Sequence, residues 1–200
     1  FKYTEDHYYK DKLVELSENF GTFIDFSVGK GEISDSLTDE QIRRKVRDEF
    51  TKDATVTILL IGNNMNQSKF IDWEVHASMF DTLNNPKMGI VCINLPDVRD
   101  SMIDCNNIIK NSVYWSSIAW TTIDNTIEHQ RICHPNAPDR IVENLVRDDV
   151  HIPIINWNVL FGRGNKEASN LLQKLVDYAF EMRKEQQYDT SKPLRKRHSN

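Results

Sequence analysis

Three short apolar runs constrain the fold more than any other feature of the sequence. Each is seven residues long, rich in β-branched side chains and bounded by turn or helix signals: Thr55–Ile61, Gly89–Leu95 and His151–Trp157. Runs of this kind are typical of parallel strands that are covered on both faces. Thr22–Ser27 is a weaker fourth candidate. The sequence therefore predicts a parallel β-sheet.

Helical patterns separate these runs. Apolar stripes with helical spacing predict four helices: Tyr8–Asn19, Asp39–Lys52, about Phe70–Leu83, and a long last helix after Gly164. Thr38 stands three residues ahead of Gln41, which predicts a capping box in which each side chain binds the other's backbone N–H. Because strands and helices alternate, we expect an α/β fold with helices on both faces of the sheet.

The length of 200 residues suits one α/β domain and is short for two. We expect a single domain over residues 1–188. Residues 100–149 fit the alternation least well, so we expect a long excursion over one end of the sheet, with Pro138 at a helix start. The basic segment 189–200 is expected to be a solvated, disordered tail.

The charge and the cysteines indicate where such a protein works. A net charge of -5 argues against a nucleic-acid partner or an anionic membrane surface, and the apolar runs are too short to cross a bilayer. The three cysteines, Cys92, Cys105 and Cys133, are odd in number and widely spaced, which fits reduced thiols. These features predict a cytoplasmic protein.

The segment from Ile61 to Glu74 is the best candidate for chemistry. It leaves the end of a predicted strand, passes through a polar loop and enters a helix that carries a carboxylate in its first turns. In doubly wound sheets the loops beyond the carboxyl ends of the strands form the ligand crevice. Glu74 is thus a candidate catalytic residue, although a glutamate early in a helix also serves as a simple partner of the helix dipole.

Ser68, Phe70 and Glu74 have the spacing of the serine, aromatic residue and glutamate that follow the third strand of TIR domains. Phe70 stands where that pattern usually has tryptophan. The chain resembles the TIR-like family that includes the ThsB proteins of Thoeris antiphage defence, and the matching stretches are Thr38–Arg47, Thr55–Gly62 and Phe70–Ser78.

The resemblance implies a flavodoxin-like, TIR-like three-layer sandwich, with a central parallel sheet of order 2-1-3-4-5 and helices on both faces. The opening Phe1–Asp6 is similar to the end of the family's first strand and the loop after it. That strand is central in this order, and an empty place there would expose unpaired backbone. We therefore expect residues upstream of Phe1 to complete it.

The resemblance also implies an activity, since TIR enzymes cleave the bond between nicotinamide and ribose in NAD. NAD would be the substrate and no cofactor would be needed. Nicotinamide leaves as a neutral group, so one carboxylate, Glu74, suffices to stabilise the oxocarbenium-like ribose. Capture by water gives ADP-ribose, whereas internal capture gives a cyclic ADP-ribose isomer and requires a pocket that excludes water. The resemblance to ThsB favours the cyclic signal.

The expected substrate-binding residues surround Glu74 in the loops and on the helix: Phe1, Tyr3, Asp6, Asn63, Ser68, Phe70 and Trp73. The aromatic residues among them are also candidates for ordinary core packing. The expected partners are a separate effector protein that binds the signal and, in a homo-oligomer, further copies of the chain.

Two alternatives stay open at this point. One is a non-catalytic TIR-like module for protein interaction and assembly. The other is a receiver-like flavodoxin-fold protein, which the absence of an acidic pair and a matching lysine disfavours. His129, Cys133 and His134 have no obvious fourth ligand and no common zinc spacing, so no metal site is expected.

Overall fold

A computed structural model describes seven parts of the chain, to which all structural statements refer: residues 5–23, 37–45, 53–63, 65–82, 86–96, 98 and 126–195. Among these residues, no helix is both long enough and apolar enough to cross a bilayer.

The sheet of the described chain has three parallel strands in the order β1-β2-β3. They are β1, Val56–Ile61, β2, Gly89–Asn94, and β3, Ile154–Asn156. All six residues of β2 are buried, because helices cover the strand on both faces. The predicted α/β architecture with three parallel strands is confirmed, but the third strand is shorter than the predicted run His151–Trp157, because Trp157 begins α6. The five-strand order 2-1-3-4-5 stays a prediction, since its first strand and most of Thr22–Ser27 lie outside the described residues.

Seven helices surround this sheet in the described residues: α1, Glu5–Phe20, α2, Asp39–Lys45, α3, Lys69–Met79, α4, Ile127–Cys133, α5, Asp139–Leu145, α6, Trp157–Phe161, and α7, Asn165–Met182. One group consists of α1, α6 and α7, and a second consists of α2, α3, α4 and α5. Both groups contact the sheet, α7 and α3 through β2. The described end of the predicted excursion, residues 126–149, supplies α4 and α5.

Gly89 lets α7 pack directly on the start of β2. A Cβ atom added at this glycine would lie 2.2 Å from the backbone oxygen of Ala179 in α7. Any larger residue would therefore push the helix away from the sheet. This close approach accounts for a glycine at the first position of an otherwise β-branched strand.

Local signals predicted the starts of helices better than their ends. The capping box is confirmed: Thr38 N–H donates to Gln41 Oε1 at 2.9 Å, and Gln41 N–H donates to Thr38 Oγ1 at 3.3 Å. The predicted end of the third helix at Leu83 is wrong. The helix α3 ends at Met79 because Phe80 is extended, with φ -79° and ψ 124°. The backbone there turns toward β2, and Met88 N–H donates to Ser78 O.

After α7 the chain runs back over α5 as a segment that we call the C-terminal strap, residues 186–195. Asp189 and Asn144 exchange two hydrogen bonds, of 2.7 and 3.3 Å, and Leu194 is only 7% exposed. The solvated tail expected from residue 189 is therefore not found for residues 189–195. Burial of an apolar side chain and pairing of backbone groups replace their contacts with water. Residues 196–200 lie outside the described chain.

Candidate functional site

The helix α3 carries the candidate carboxylate, and Ser68 fixes where this helix begins. Ser68 has an extended backbone, with φ -80° and ψ 115°, and its side chain accepts a hydrogen bond from Ile71 N–H at 3.4 Å. A serine at this position satisfies one of the donors that a helix start leaves exposed. The serine of the Ser68, Phe70 and Glu74 pattern thus sets the register of the helix on which the other two residues lie.

Glu74 lies in the second turn of α3 and is half-buried. One turn later, Ser78 Oγ donates to Glu74 O at 2.9 Å and lies 2.7 Å from Thr57 Oγ1 of β1. Ile71 and Val75 bury the adjacent face of the helix in the main core. The backbone at Glu74 is therefore attached to the sheet through both packing and hydrogen bonds.

Burial raises the pKa of the Glu74 carboxyl above its ordinary value of 4.5, since the charged form loses contact with water. In the part of the chain that the structure describes, no side chain forms an ion pair or a hydrogen bond with this carboxylate. A carboxylate in such surroundings interacts strongly with any positive charge that approaches it. Such a carboxylate can stabilise a cation.

The aromatic residues Phe70 and Trp73 are neighbours on α3 but differ in burial. Their rings touch edge to face, with centroids 5.2 Å apart, and Lys69 Nζ lies 4.7 Å from the Phe70 centroid. Phe70 is 46% exposed and shares the helix flank of Glu74, which is one turn further on. Trp73 is only 6% exposed and packs with Ala77 and Leu194. Phe70 can contact a ligand beside Glu74, whereas Trp73 contacts the strap.

The remaining predicted site residues are only partly described. Asn63 is exposed in the turn that follows β1. Phe1 and Tyr3 lie outside the described residues, and so does the side chain of Asp6, whose backbone belongs to the first turn of α1. The structure thus brings Ser68, Phe70, Trp73 and Glu74 together on one helix. The part that Phe1, Tyr3 and Asp6 take in binding stays a prediction.

A cleft of about 530 Å³ opens beside the start of α3, between α5 and the C-terminal strap. Ser68 and Asp72 line it, but Glu74 does not. Its charged side chains form ion pairs with one another: Asp72 with Arg140, Asp139 with Arg195, and Glu143 with Lys192. This arrangement joins three segments of the chain, and it differs from the pocket that the sequence predicted around Glu74.

Asp72 is a residue of this region that sequence reasoning missed. Its two carboxylate oxygens accept from Arg140 Nε at 3.0 Å and Nη2 at 3.3 Å, and one of them also accepts from Arg195 N–H at 2.9 Å. Such a two-pronged contact is among the stronger ion pairs in proteins. Arg140 and Arg195 are 68 and 123 residues from Asp72 in the sequence, so no local pattern could reveal the cluster.

The residues considered for zinc do not form a metal centre. His129 Nε2 lies 3.3 Å from Cys133 Sγ, but Cys133 is disulfide-bonded and offers no thiolate. Among the residues that the structure covers, no group of three or more His, Cys, Asp or Glu side chains could hold a metal ion. Cys92 is a buried free thiol. The expectation of reduced cysteines is thus wrong for Cys133, because spacing along the chain does not reveal proximity in space.

Comparison with known protein families gives a match over the part of the chain that contains α3. The model of the family described as Thoeris protein ThsB, TIR-like domain, matches residues 1–100. The chain belongs to this TIR-like family. The resemblance inferred from Ser68, Phe70 and Glu74 is thereby confirmed. No curated protein and no solved structure shows significant similarity to the chain.

The ThsB TIR-like match covers every residue predicted for the site, from Phe1 to Glu74. It also covers α1, α2, β1, α3 and β2. The partners of Asp72, which are Arg140 on α5 and Arg195 in the strap, lie beyond the matched range. The helix that carries Glu74 therefore belongs to the TIR-like part of the chain and is held from outside by the part that follows it.

Proposed function

We propose that this ThsB-like protein is an enzyme that cleaves the nicotinamide–ribose bond of NAD, with Glu74 as its catalytic carboxylate. The observation that carries the proposal is the state of Glu74: a half-buried carboxyl with a pKa raised by burial, on the helix that follows β1. Membership of the ThsB TIR-like family supports it, because Glu74 has the spacing from Ser68 and Phe70 that resembles the serine, aromatic and glutamate pattern of TIR domains. NAD is the substrate, and no cofactor takes part.

The proposed step breaks the bond between the ribose C1′ carbon and the pyridinium nitrogen. The bonding electrons move to that nitrogen, so nicotinamide leaves as a neutral molecule and the positive charge passes to the ribose. A fixed carboxylate stabilises this cation in the transition state more than it stabilises the bound substrate, which is the requirement for catalysis. No general acid is needed, because the leaving group requires no proton.

We further propose that the cation is captured within the same molecule and gives a cyclic ADP-ribose isomer. Internal capture succeeds only where water is kept away from the cation. The exposed ring of Phe70, one turn before Glu74, supplies apolar surface for that purpose. In the proposed setting, the cytoplasm of a cell under phage attack, the product signals to a separate effector protein, and copies of the chain assemble around the site.

Product analysis of the purified chain with NAD tests this proposal. Released nicotinamide reports bond cleavage, and mass spectrometry separates a cyclic product from ADP-ribose, which is heavier by one water. Glu74→Gln keeps the shape of the side chain and removes its charge, so we expect cleavage to fall at least about 100-fold. Glu15→Gln, which changes an exposed carboxylate on α1, is the matched control and should leave the rate unchanged. Equal rates for Glu74→Gln and wild type would overturn the catalytic assignment.

The alternative, a non-catalytic assembly module of the TIR-like family, has one observation in its favour. Glu74 does not line the cleft beside α3, while Phe70 exposes nearly half of its surface and could contact another chain. A module predicts no nicotinamide release, either alone or with lysate from phage-infected cells as a source of the trigger. It also predicts that Phe70→Ala weakens self-association, whereas Glu74→Gln leaves it unchanged.

A further inference from the structure

The two residues that precede Glu74 are both bound to the C-terminal strap. Asp72 accepts a hydrogen bond from Arg195 N–H at 2.9 Å, and Trp73 Nε1 donates to Arg195 O at 3.1 Å. The Arg195 guanidinium extends these contacts to Asn66 O, in the turn before α3. Leu194 is buried against Trp73. The strap therefore contacts α3 at the residues next to the candidate catalytic carboxylate.

Arg140 joins this contact to α5. Its guanidinium donates to both oxygens of Asp72, to Lys192 O at 3.3 Å and to Pro193 O at 3.2 Å. The side chain is 4% exposed, and its partner Asp72 is 14% exposed. A buried arginine of this kind holds its neighbours in a fixed geometry, because any displacement leaves a charged donor without an acceptor. We call Asp72, Arg140 and the strap backbone from Lys192 to Arg195 the clamp.

The clamp and the candidate active site lie on opposite flanks of α3. Residues that are two positions apart in an α-helix are separated by about 200° around its axis. Asp72 and Glu74 therefore point in nearly opposite directions. Ile71 and Val75 hold the helix on the sheet, and the clamp holds the flank away from Glu74. Together these contacts prevent rotation of α3 about its axis. A misplacement of about 1 Å in a reacting group can cost about 100-fold in rate.

We propose that Asp72 is a positioning residue, which fixes through the clamp the orientation in which α3 presents Glu74 to the substrate. This inference rests on the proposed function of Glu74 and adds a second carboxylate to it. Asp72 acts through the helix and not on the reacting atoms. Loss of the clamp should therefore reduce the turnover of bound NAD more than the binding of NAD.

Kinetics and amide hydrogen exchange of Asp72→Asn test the proposal. We expect kcat for NAD cleavage to fall about 10- to 100-fold while KM changes less than about threefold. Exchange should become faster in the peptide that covers α3. Asp72→Glu, which keeps the charge that Arg140 requires, should recover part of kcat. The matched control is Asp177→Asn, which changes an exposed carboxylate on α7 that pairs with Gln173 and touches neither α3 nor the strap.

The possible results of these experiments distinguish a failure of the clamp from a failure of the proposed function. Wild-type kcat together with wild-type protection of α3 in Asp72→Asn would overturn the clamp, and so would an equal loss of kcat in Asp177→Asn. Full activity of Glu74→Gln would overturn the proposed function instead, so the two failures are distinguishable. If Asp72→Asn does not fold, Arg140→Lys replaces it, because this change keeps the positive charge but loses the two-pronged contact with Asp72. An Arg140→Lys protein with wild-type kcat and exchange would overturn the clamp.

Discussion

Two carboxylates on α3, two residues apart, have opposite surroundings. Asp72 accepts three hydrogen bonds, two from the Arg140 guanidinium and one from the backbone of Arg195. Glu74 is half-buried without such a partner in the described chain, and burial raises its pKa. The first carboxylate joins three segments of the protein, whereas the second forms no ion pair with a described side chain.

The difference shows how the surroundings of a carboxylate assign it to structure or to chemistry. A paired carboxylate has already satisfied its charge, so a substrate gains little from it. A desolvated carboxylate without an ion-pair partner makes the folded state less stable. The same carboxylate can bind a cation, such as the ribosyl cation of the proposed reaction. Stability should therefore depend on Asp72, whereas direct stabilisation of the ribosyl cation should depend on Glu74.

The largest expected effect on stability comes from breaking the pair of Asp72. Arg140→Gln leaves a mostly buried carboxylate without its cation, and we expect the free energy of unfolding to fall by about 3 to 5 kcal/mol. Urea unfolding followed by circular dichroism measures this loss. Lys12→Gln, which removes an exposed ion pair with Glu15, is the control and should leave the free energy of unfolding nearly unchanged, because water screens exposed charges. A loss as small as that of the control would mean that the clamp contributes nothing to stability.

Truncation of Leu194 should lower the free energy of unfolding by less than Arg140→Gln does. Leu194→Ala removes buried apolar surface against Trp73, and we expect a loss of about 2 kcal/mol in the free energy of unfolding. Leu194→Met keeps the volume and should cost less than about 1.5 kcal/mol. Equal stability of the wild type and the alanine variant would show that the strap does not pack on α3 in solution.

The pH dependence of NAD cleavage reports the protonation of Glu74. Cleavage requires the charged form of Glu74, and burial raises the pKa of this carboxyl above 4.5. We therefore expect the rate to fall as the pH decreases through that raised pKa, by about tenfold, or 1.4 kcal/mol, for each further pH unit. A steady-state pH profile of kcat measures it. A rate that stays constant down to pH 4.5 would contradict the raised pKa.

Short-range signals allowed most of the framework to be predicted from the sequence. Thr38 and Gln41 form the expected capping box because both partners lie within one helical turn. The three strong strands were predicted because continuous β-branched runs suit strands buried on both faces. Glu74 was found through its spacing from Ser68 and Phe70, which lie in the same stretch of the chain.

Contacts between distant residues could not be predicted in this way. Asp72 has an ordinary first-turn position in the sequence, and only the fold brings Arg140 and Arg195 to it. Trp73 was a candidate for the substrate pocket because it precedes Glu74 in the sequence. The sequence does not tell that the strap covers the flank of α3 on which Trp73 lies. The strap itself is rich in basic and polar residues, and its single leucine, Leu194, gave too weak a signal for packing.

Thermal unfolding and NAD turnover of Glu74→Gln, measured on the same preparation, test whether Glu74 serves catalysis and not the stability of the fold. The folded state raises the pKa of Glu74, so its charge destabilises the fold above that pKa, and the cost disappears below pH 4.5. At pH 8 we predict that Glu74→Gln has a Tm equal to or above that of the wild type and that its NAD cleavage is at least about 100-fold slower. Retained cleavage, or a Tm lowered as in Arg140→Gln, would contradict it.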